Sequence, residues 1–461
     1  MQLLRIQIPE FRVLKNIDID FPKDFSPQIF PIGSENGGGK STLLQLVFTL
    51  LHCPFHEERL PYLVNILQSY DFPESDELIK LAGFEILDKE KTVTLEFFCC
   101  GDSYIQKNLG KDYSFTAIPE LKEIKNSIAN LEHKIADLKN AISSKNPLDQ
   151  LNTMLSYTIK CILTKENAKE LIEREIQKQE SDLLEMKNIY TIVSQLSEEI
   201  LKYLQDHDYI FVKEFSPKNE QRKNALLCHA AGLEREEAKS FLKKISDCVF
   251  LASPSTQMYL FLDKTQRNAF FNENTDSKSN YYSYLLKAKK SLPGFFMYDF
   301  YALKGIIEIF EKMRDLDFRE AMEKGEYGNH YKNFQNSLNS LLSSKKITLN
   351  YDFSNIICKI YKENKDIEIG TEDLSHGELR CLSIYMWLLF KCSPSHSIVL
   401  MDEIEIALHP DWQYKIITDL IEWNPGNQYI LGTHSYEVCQ ALTPRHVKDL
   451  YPKLKKDTDG K

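Results

Sequence analysis

The run Gly33-Ser34-Glu35-Asn36-Gly37-Gly38-Gly39-Lys40-Ser41-Thr42 constrains this chain more than any other segment. It follows Ile29-Phe30-Pro31-Ile32, which reads as a buried strand, and precedes Leu43 to Phe48, which read as the opening turns of a helix. A strand, a glycine loop and a helix in that order make a phosphate cradle. Residues without Cβ let successive backbone N–H groups turn toward one centre at the positive end of the helix. Asn36 to Thr42 then surround the anion, Lys40 reaches the β and γ phosphates of ATP, and Ser41 holds Mg²⁺. Strict spacing puts the first glycine of such a loop at position 34, where this chain has Ser34. The turn stays open if φ of Ser34 remains negative or if Gly33 absorbs the strain.

Three further motifs lie in the last hundred residues, in the order phosphoryl transfer needs. Ser397-Ile-Val-Leu-Met-Asp402-Glu403 is an apolar strand ending in two carboxylates, suited to a metal-associated Asp402 and a Glu403 that polarises the attacking water. Upstream, Leu374-Ser375-His376-Gly377-Glu378 opens an apolar helical stretch, where a hydroxyl and free N–H groups can face a phosphate. Downstream, Tyr429 to Ser435 form a strand that delivers His434 to a loop, within reach of a γ-phosphate.

The order of cradle, signature, acidic strand and histidine resembles the ATP-binding-cassette ATPases of the branch that includes the SMC, Rad50 and RecF proteins and the OLD-type ATPases. Asp402-Glu403-Ile404-Glu405-Ile406-Ala407-Leu408-His409-Pro410 is similar to the D-E-x-E-x-x-L-H-P run of the OLD-like group, and the opening Leu3 to Ile8 with Phe11 to Lys15 resembles its first strands. The resemblance implies an α/β head, a P-loop NTPase with a mixed sheet and flanking helices, that works as a homodimer. Asn36 to Thr42, Asp402, Glu403 and His434 would act in cis, and Ser375, Gly377 and Glu378 would close on the nucleotide of the partner copy. Arg12 matches the family's early arginine that touches nucleotide phosphate, although a solvated strand-end charge accounts for it equally. A glutamine that senses the site is also implied, with Gln106 and Gln257 both open as its position.

An insertion is legible from its period. Leu121, Ile124, Ile128, Leu131, Ile135, Leu138 and Ile142 form a heptad seam. A second seam runs through Ile172, Ile176, Gln179, Leu183, Met186, Tyr190 and Val193, continued with one slipped step by Leu196, Ile200 and Tyr203. The pattern predicts an antiparallel coiled-coil hairpin over 120–205, between a head lobe at 1–119 and the rest of the head at 206–461. Its first arm spans roughly 33 Å, and its tip, 143–165, holds only Cys161, which excludes a metal hook built on C-x-x-C. Residues 120–205 carry 12 Lys or Arg against 14 Asp or Glu, so the arm is no electrostatic track for phosphates and reads as a protein-contact element or as a hairpin packed on its own head.

A net charge of −10 over 461 residues argues against a chain that coats nucleic acid along its whole surface. Ten scattered cysteines without a C-x-x-C pair read as reduced thiols, and no stretch of 18 apolar residues or signal peptide appears, so no membrane association and a cytoplasmic location are expected. Tyr281, Tyr282, Tyr284, Lys287, Lys289 and Lys290 mix aromatics with bases as a DNA contact does, or as a solvated helix face does. Asp315 and Asp317 suggest paired acids of a metal nuclease, but sit in a charged helix. With about 26 residues after Ser435, the Toprim nuclease of OLD-type proteins is not expected. Head, short hairpin and missing nuclease together resemble the PtuA-type ATPase subunits of Septu anti-phage defence systems, which work with an HNH nuclease subunit. A RecF-like or SMC-like repair ATPase that clamps duplex DNA is the alternative, and a transporter's ATP-binding subunit a more distant one.

Overall fold

The computed structural model describes residues 1–73, 75–143, 165–216, 223–263, 266–267, 277–298, 303–342, 345–362, 365–390, 392 and 396–450. The chain divides into two compact units, one of Met1–Tyr70, Lys80–Phe97 and Ala230–Lys461, the other of Asp71–Ile79 and Phe98–His229.

The first unit opens with the hairpin β1 (Gln2–Phe11) and β2 (Leu14–Asp20), in which buried and exposed residues alternate along β2 as on a one-faced sheet. β3 (Ile29–Gly33), α1 (Lys40–His52), α2 (Leu60–Leu67), β4 (Ile79–Asp88) and β5 (Lys91–Gly101) follow. β1 pairs antiparallel with both β2 and β4, giving the order β2-β1-β4-β5 in this unit.

The second unit contains α3 (Asp102–Leu109), α4 (Ala117–Ser143), α5 (Lys165–Asp206) and the antiparallel pair β6 (Tyr209–Phe215) and β7 (Asn224–Ala231). α4 and α5 form a coiled-coil hairpin, because apolar seams on two helices are removed from water together. Ile135 and Leu138 of α4 are buried, as are Ile172, Ile176 and Gln179 of α5, and Lys139–Glu180 (2.7 Å) and Lys187–Glu132 (2.8 Å) pair across the rim. At its base, Ile200 and Leu204 join Ile105, Phe115 and Leu227 in one apolar cluster. The expected tip, with Ser144 to Pro147 and Cys161, lies outside the described residues apart from its outermost positions.

The chain re-enters the first unit through α6 (Arg235–Ser246) and β8 (Val249–Ser253), a 3₁₀ turn at Ser255–Phe261, α7 (Ser277–Ser291) and β9 (Phe295–Met297). α8 (Leu303–Lys324) and α9 (His330–Leu341) lead to a three-stranded antiparallel sheet, β10 (Lys345–Leu349), β11 (Ile356–Lys362) and β12 (Lys365–Ile369). Then come α10 (His376–Phe390), β13 (Ile398–Asp402), α11 (Pro410–Trp423), β14 (Gln428–Gly432), α12 (Tyr436–Gln440) and β15 (Lys448–Asp449). Asp315 pairs with its neighbour Arg314 on the exposed face of α8, and Asp317 accepts the N–H groups of His330 and Tyr331 and so ties α8 to the start of α9. Lys287, Lys289 and Lys290 are exposed on α7 and Tyr284 is half-buried, whereas the side chains of Tyr281 and Tyr282 lie outside the described residues.

The second sheet of this unit is parallel throughout, in the order β15-β3-β14-β13-β8-β9. Its inner strands are apolar at nearly every position, as strands covered on both faces must be. Val399, Met401, Tyr429 and Leu431 pack there with Ile384 and Leu388 of α10 and with Ile416 and Leu420 of α11. Replacing Leu388, which is fully buried, by Ala is expected to destabilise the first unit by about 2–5 kcal/mol. A denaturant titration in which that unit unfolds at an unchanged midpoint would contradict this packing.

Candidate functional site

Strand order makes the site. β14 lies between β3 and β13, so the three strands end side by side, with Asp402 registered against Gly432 and Gly432 against Ile32. Ligands of open parallel sheets collect at these carboxyl ends. The glycine loop rises from the end of β3 into α1, whose N-terminus has no side-chain cap, leaving its first N–H groups to an anion. Gly39 caps α1 at φ 94°, in the left-handed region, and a Cβ there would stand 2.7 Å from Leu14 Cδ2. Only glycine satisfies both conditions. Ser34, the departure from strict spacing, stays out of the left-handed region, as does Gly33; Gly37 and Gly39 take the positive φ values.

Lys40 projects back across this loop. Its Nζ donates to Ser34 Oγ (3.0 Å) and Ser34 O (3.2 Å) and lies 3.4 Å from His434 Nδ1, which must be the acceptor. Burial pushes the amine below its ordinary range, opposed by the charges of Asp402, Glu405 and Glu403. A phosphate oxygen entering the loop would compete with these neutral acceptors for the ammonium.

Asp402 is buried, and neither of its carboxylate oxygens completes a hydrogen bond. Burial raises its pKa to about 7, with Ser41 close enough to oppose the shift and Glu403 and Glu405 adding to it. Orphaned carboxylate oxygens beside a hydroxyl fit a hard divalent cation, so Ser41 and Asp402 are the residues that would hold Mg²⁺, which when bound neutralises phosphate charge. Among the described residues no three His, Cys, Asp or Glu side chains gather as a protein-only metal cage, in keeping with a cation shared with a nucleotide. Gln257 completes the group. Its Nε2 lies 3.4 Å from Ser41 Oγ, and its Oε1 accepts from Gln45 Nε2 at 2.9 Å. Gln257, one of the two glutamines left open by the sequence, thus lies beside Ser41, and Gln106 is part of α3 in the second unit.

Glu403 sits just past the end of β13 with φ 50°, its peptide clamped on both sides. Its N–H donates to Gly432 O (2.8 Å), and its carbonyl accepts from an Arg380 Nη at 2.7 Å. Arg380, which sequence reasoning did not select, also lies over the Tyr298 ring, 3.9 Å from ring centre to guanidinium carbon. His434 is exposed, and its N–H donates to Glu405 Oε1 at 2.7 Å. Glu405 thus fixes the histidine loop through the backbone, a contact that spacing alone does not announce.

The signature residues are occupied with one another. Ser375 Oγ accepts from Glu378 N (3.2 Å) and Glu378 Oε2 accepts from Ser375 N (2.7 Å), a reciprocal capping box that starts α10. Lys345 of β10 holds the same carboxylate oxygen at 2.7 Å. Burial alone would raise the Glu378 carboxyl, but Lys345 and Ser375 keep it below its ordinary range. Gly377 lies where a Cβ would approach Ala407 O to 2.8 Å, so α10 begins directly on the turn after Glu403. Arg12 is engaged elsewhere, donating to Ile66 O (3.3 Å) and Ser69 Oγ; burial, with Arg267 nearby, lowers it to about 10. The structure brings its neighbours Val13 and Leu14 to Gly39 while the guanidinium serves α2.

Two outcomes follow from this geometry. A Cβ at Gly432 would stand 2.8 Å from Asp402 Oδ1 and 3.0 Å from Leu44 Cδ1, so Gly432→Ala is expected to weaken Mg²⁺–ATP binding at least about tenfold in a folded protein. Titration calorimetry giving wild-type affinity would contradict the assignment. For Asp402 the folded state keeps its proton to about pH 7, against 3.8 ordinarily, so its contribution to stability is full at low pH and is lost as pH rises through 7. Asp402→Asn should remove this loss, leaving the metal-free variant more stable than wild type at pH 8 by ~1 kcal/mol or more. Parallel pH–stability curves for the two proteins would contradict the burial argument.

Short stretches of this chain are similar to two curated proteins. The Retron Vc95 probable ATPase of Vibrio cholerae serotype O1 biovar El Tor is 35% identical over 91 residues, 18% of each chain. The Retron Ec83 probable ATPase of Escherichia coli is 42% identical over 50 residues, 11% of this chain and 9% of that one. The similarity thus spans less than a fifth of either relative. Loose structural likeness extends to the Smc head domain with an extended coiled coil bound to the C-terminal domain of ScpA, derived from Pyrococcus furiosus (TM-score 0.33, 12% identity, 95% of this chain and 91% of that one). The Smc head domain with a coiled coil and joint from Pyrococcus yayanosii is similar at the same level (TM-score 0.32, 13% identity, 95% and 93% covered). The sequence profile of the AAA ATPase domain matches residues 1–438, and the chain belongs to that ATPase family.

Proposed function

We propose that this chain binds and hydrolyses ATP at a site completed by a second copy, and that closure of two heads on the nucleotide regulates a separate HNH nuclease in an anti-phage defence complex. The observation that carries the ATP reading is the meeting of Lys40, Ser41, Gln257, Asp402 and His434 at the ends of three adjacent parallel strands. Lys40 and the first N–H groups of α1 take the phosphates. Glu403, aimed by its clamped peptide, orients a water and receives its proton as the water oxygen bonds to the γ-phosphorus and the bond to the β-phosphate oxygen breaks. His434 hydrogen-bonds the γ-phosphate, and the Ser375–Glu378 helix start of a partner copy completes the enclosure with the Ser375 hydroxyl and the Gly377 N–H, while the Glu378 carboxylate caps that helix. Support for a defence role comes from the retron ATPases to which short stretches are similar.

Glu403→Gln is expected to lower kcat at least about a hundredfold while nucleotide stays bound. In an equimolar mixture of Lys40→Ala and Ser375→Arg proteins, half of the randomly formed dimers are mixed and each holds one intact site. ATPase activity should therefore return to roughly a quarter of wild type although either variant alone is inactive. A mixture as inactive as its components contradicts the two-copy site. Purification from its native operon should bring a small HNH protein with the chain, and elution without one would remove the nuclease reading.

A further inference from the structure

Lys345 is the first residue of β10, 33 positions before Glu378, and nothing in its local sequence marks it. Its Nζ lies 2.7 Å from Glu378 Oε2 and 3.0 Å from Asp373 O, and the two paired side chains are 15% and 9% exposed. The ion pair thus joins a strand of the small antiparallel sheet to the first turn of α10. A carboxylate in that turn stabilises its own helix, since the N-terminal end of the helix dipole favours negative charge. It also repels any other anion brought to the same place. Lys345 cancels that charge, and what the helix start then presents is the Ser375 hydroxyl with backbone N–H groups.

We propose that Lys345 is a positioning residue of the composite nucleotide site: by neutralising Glu378 it lets the 375–378 helix start face the triphosphate held by a second copy. This rests on the two-copy reading above. Charge is the operative property, so the arrangement makes a demand that a merely structural contact does not. Removing both charges together must be far less harmful than removing the lysine alone.

The test measures ATP-dependent self-association by analytical ultracentrifugation in a Glu403→Gln parent, which holds ATP without turnover. Lys345→Gln should weaken association at least about tenfold. Lys345→Arg should retain it, and adding Glu378→Gln to Lys345→Gln should bring it back to within about threefold of the parent. Fluorescent ATP binding by dilute single copies should stay within about twofold in Lys345→Gln, because the P-loop is untouched. Association unchanged in Lys345→Gln would overturn the proposal. So would a double variant as weak as Lys345→Gln, which would assign Lys345 to sheet packing, or loss of single-copy binding. A parent that fails to associate with ATP would remove the two-copy reading and this proposal with it. Failure confined to the variants removes only the role of Lys345.

Discussion

The site depends on a carboxylate held where its charge is costly. Asp402 ends a strand buried on both faces, where a Cβ on the neighbouring Gly432 would crowd it, and neither of its carboxylate oxygens completes a hydrogen bond. Parallel pairing of β3, β14 and β13 imposes that position, and the same pairing places the His434 loop on the adjacent strand and the glycine loop one strand further on. A buried negative charge without a partner is tolerated because the fold surrounds it with potential ones: the Ser41 hydroxyl, the Lys40 ammonium and a cation brought with nucleotide.

The turn that follows Asp402 links this carboxylate to the rest of the head. Glu403 is fixed through its peptide by Gly432 and Arg380, Glu405 reaches across to the His434 backbone, and Gly377 rests on Ala407. One short segment therefore carries Glu403 and touches the histidine loop and the start of α10. Arg380 joins the start of α10 to the Glu403 carbonyl, and its guanidinium lies over the Tyr298 ring. Under the two-copy proposal, that connection would link an association at the start of α10 to Glu403.

What the sequence made legible was local. The cradle and the acidic strand are contiguous segments whose chemistry and conformation come from neighbouring residues, and the hairpin seams repeat over several turns, so burial of Ile135, Leu138, Ile172 and Ile176 follows from period alone. Lys345, Gln45 and Arg380 were illegible, and Gln257 could not be told apart from Gln106, because each acts through a partner 23 to 216 positions away, set by strand order and helix packing. Arg12 shows the converse: a suggestive position in the chain, but a guanidinium that donates to the Ile66 carbonyl and the Ser69 hydroxyl at the carbonyl end of α2. At Ser34 the loop absorbs a non-glycine residue because the left-handed turns are taken at Gly37 and Gly39.

The central claim is that the triphosphate lies between the Lys40 loop of one copy and the Ser375–Glu378 helix start of another. A cryo-electron microscopy map of the protein with a non-hydrolysable ATP analogue and Mg²⁺ tests it most directly. Two copies should enclose each nucleotide, with the metal at Ser41 and Asp402 and the γ-phosphate facing the partner's α10. Nucleotide enclosed by a single copy, or bound away from the glycine loop, would contradict the account.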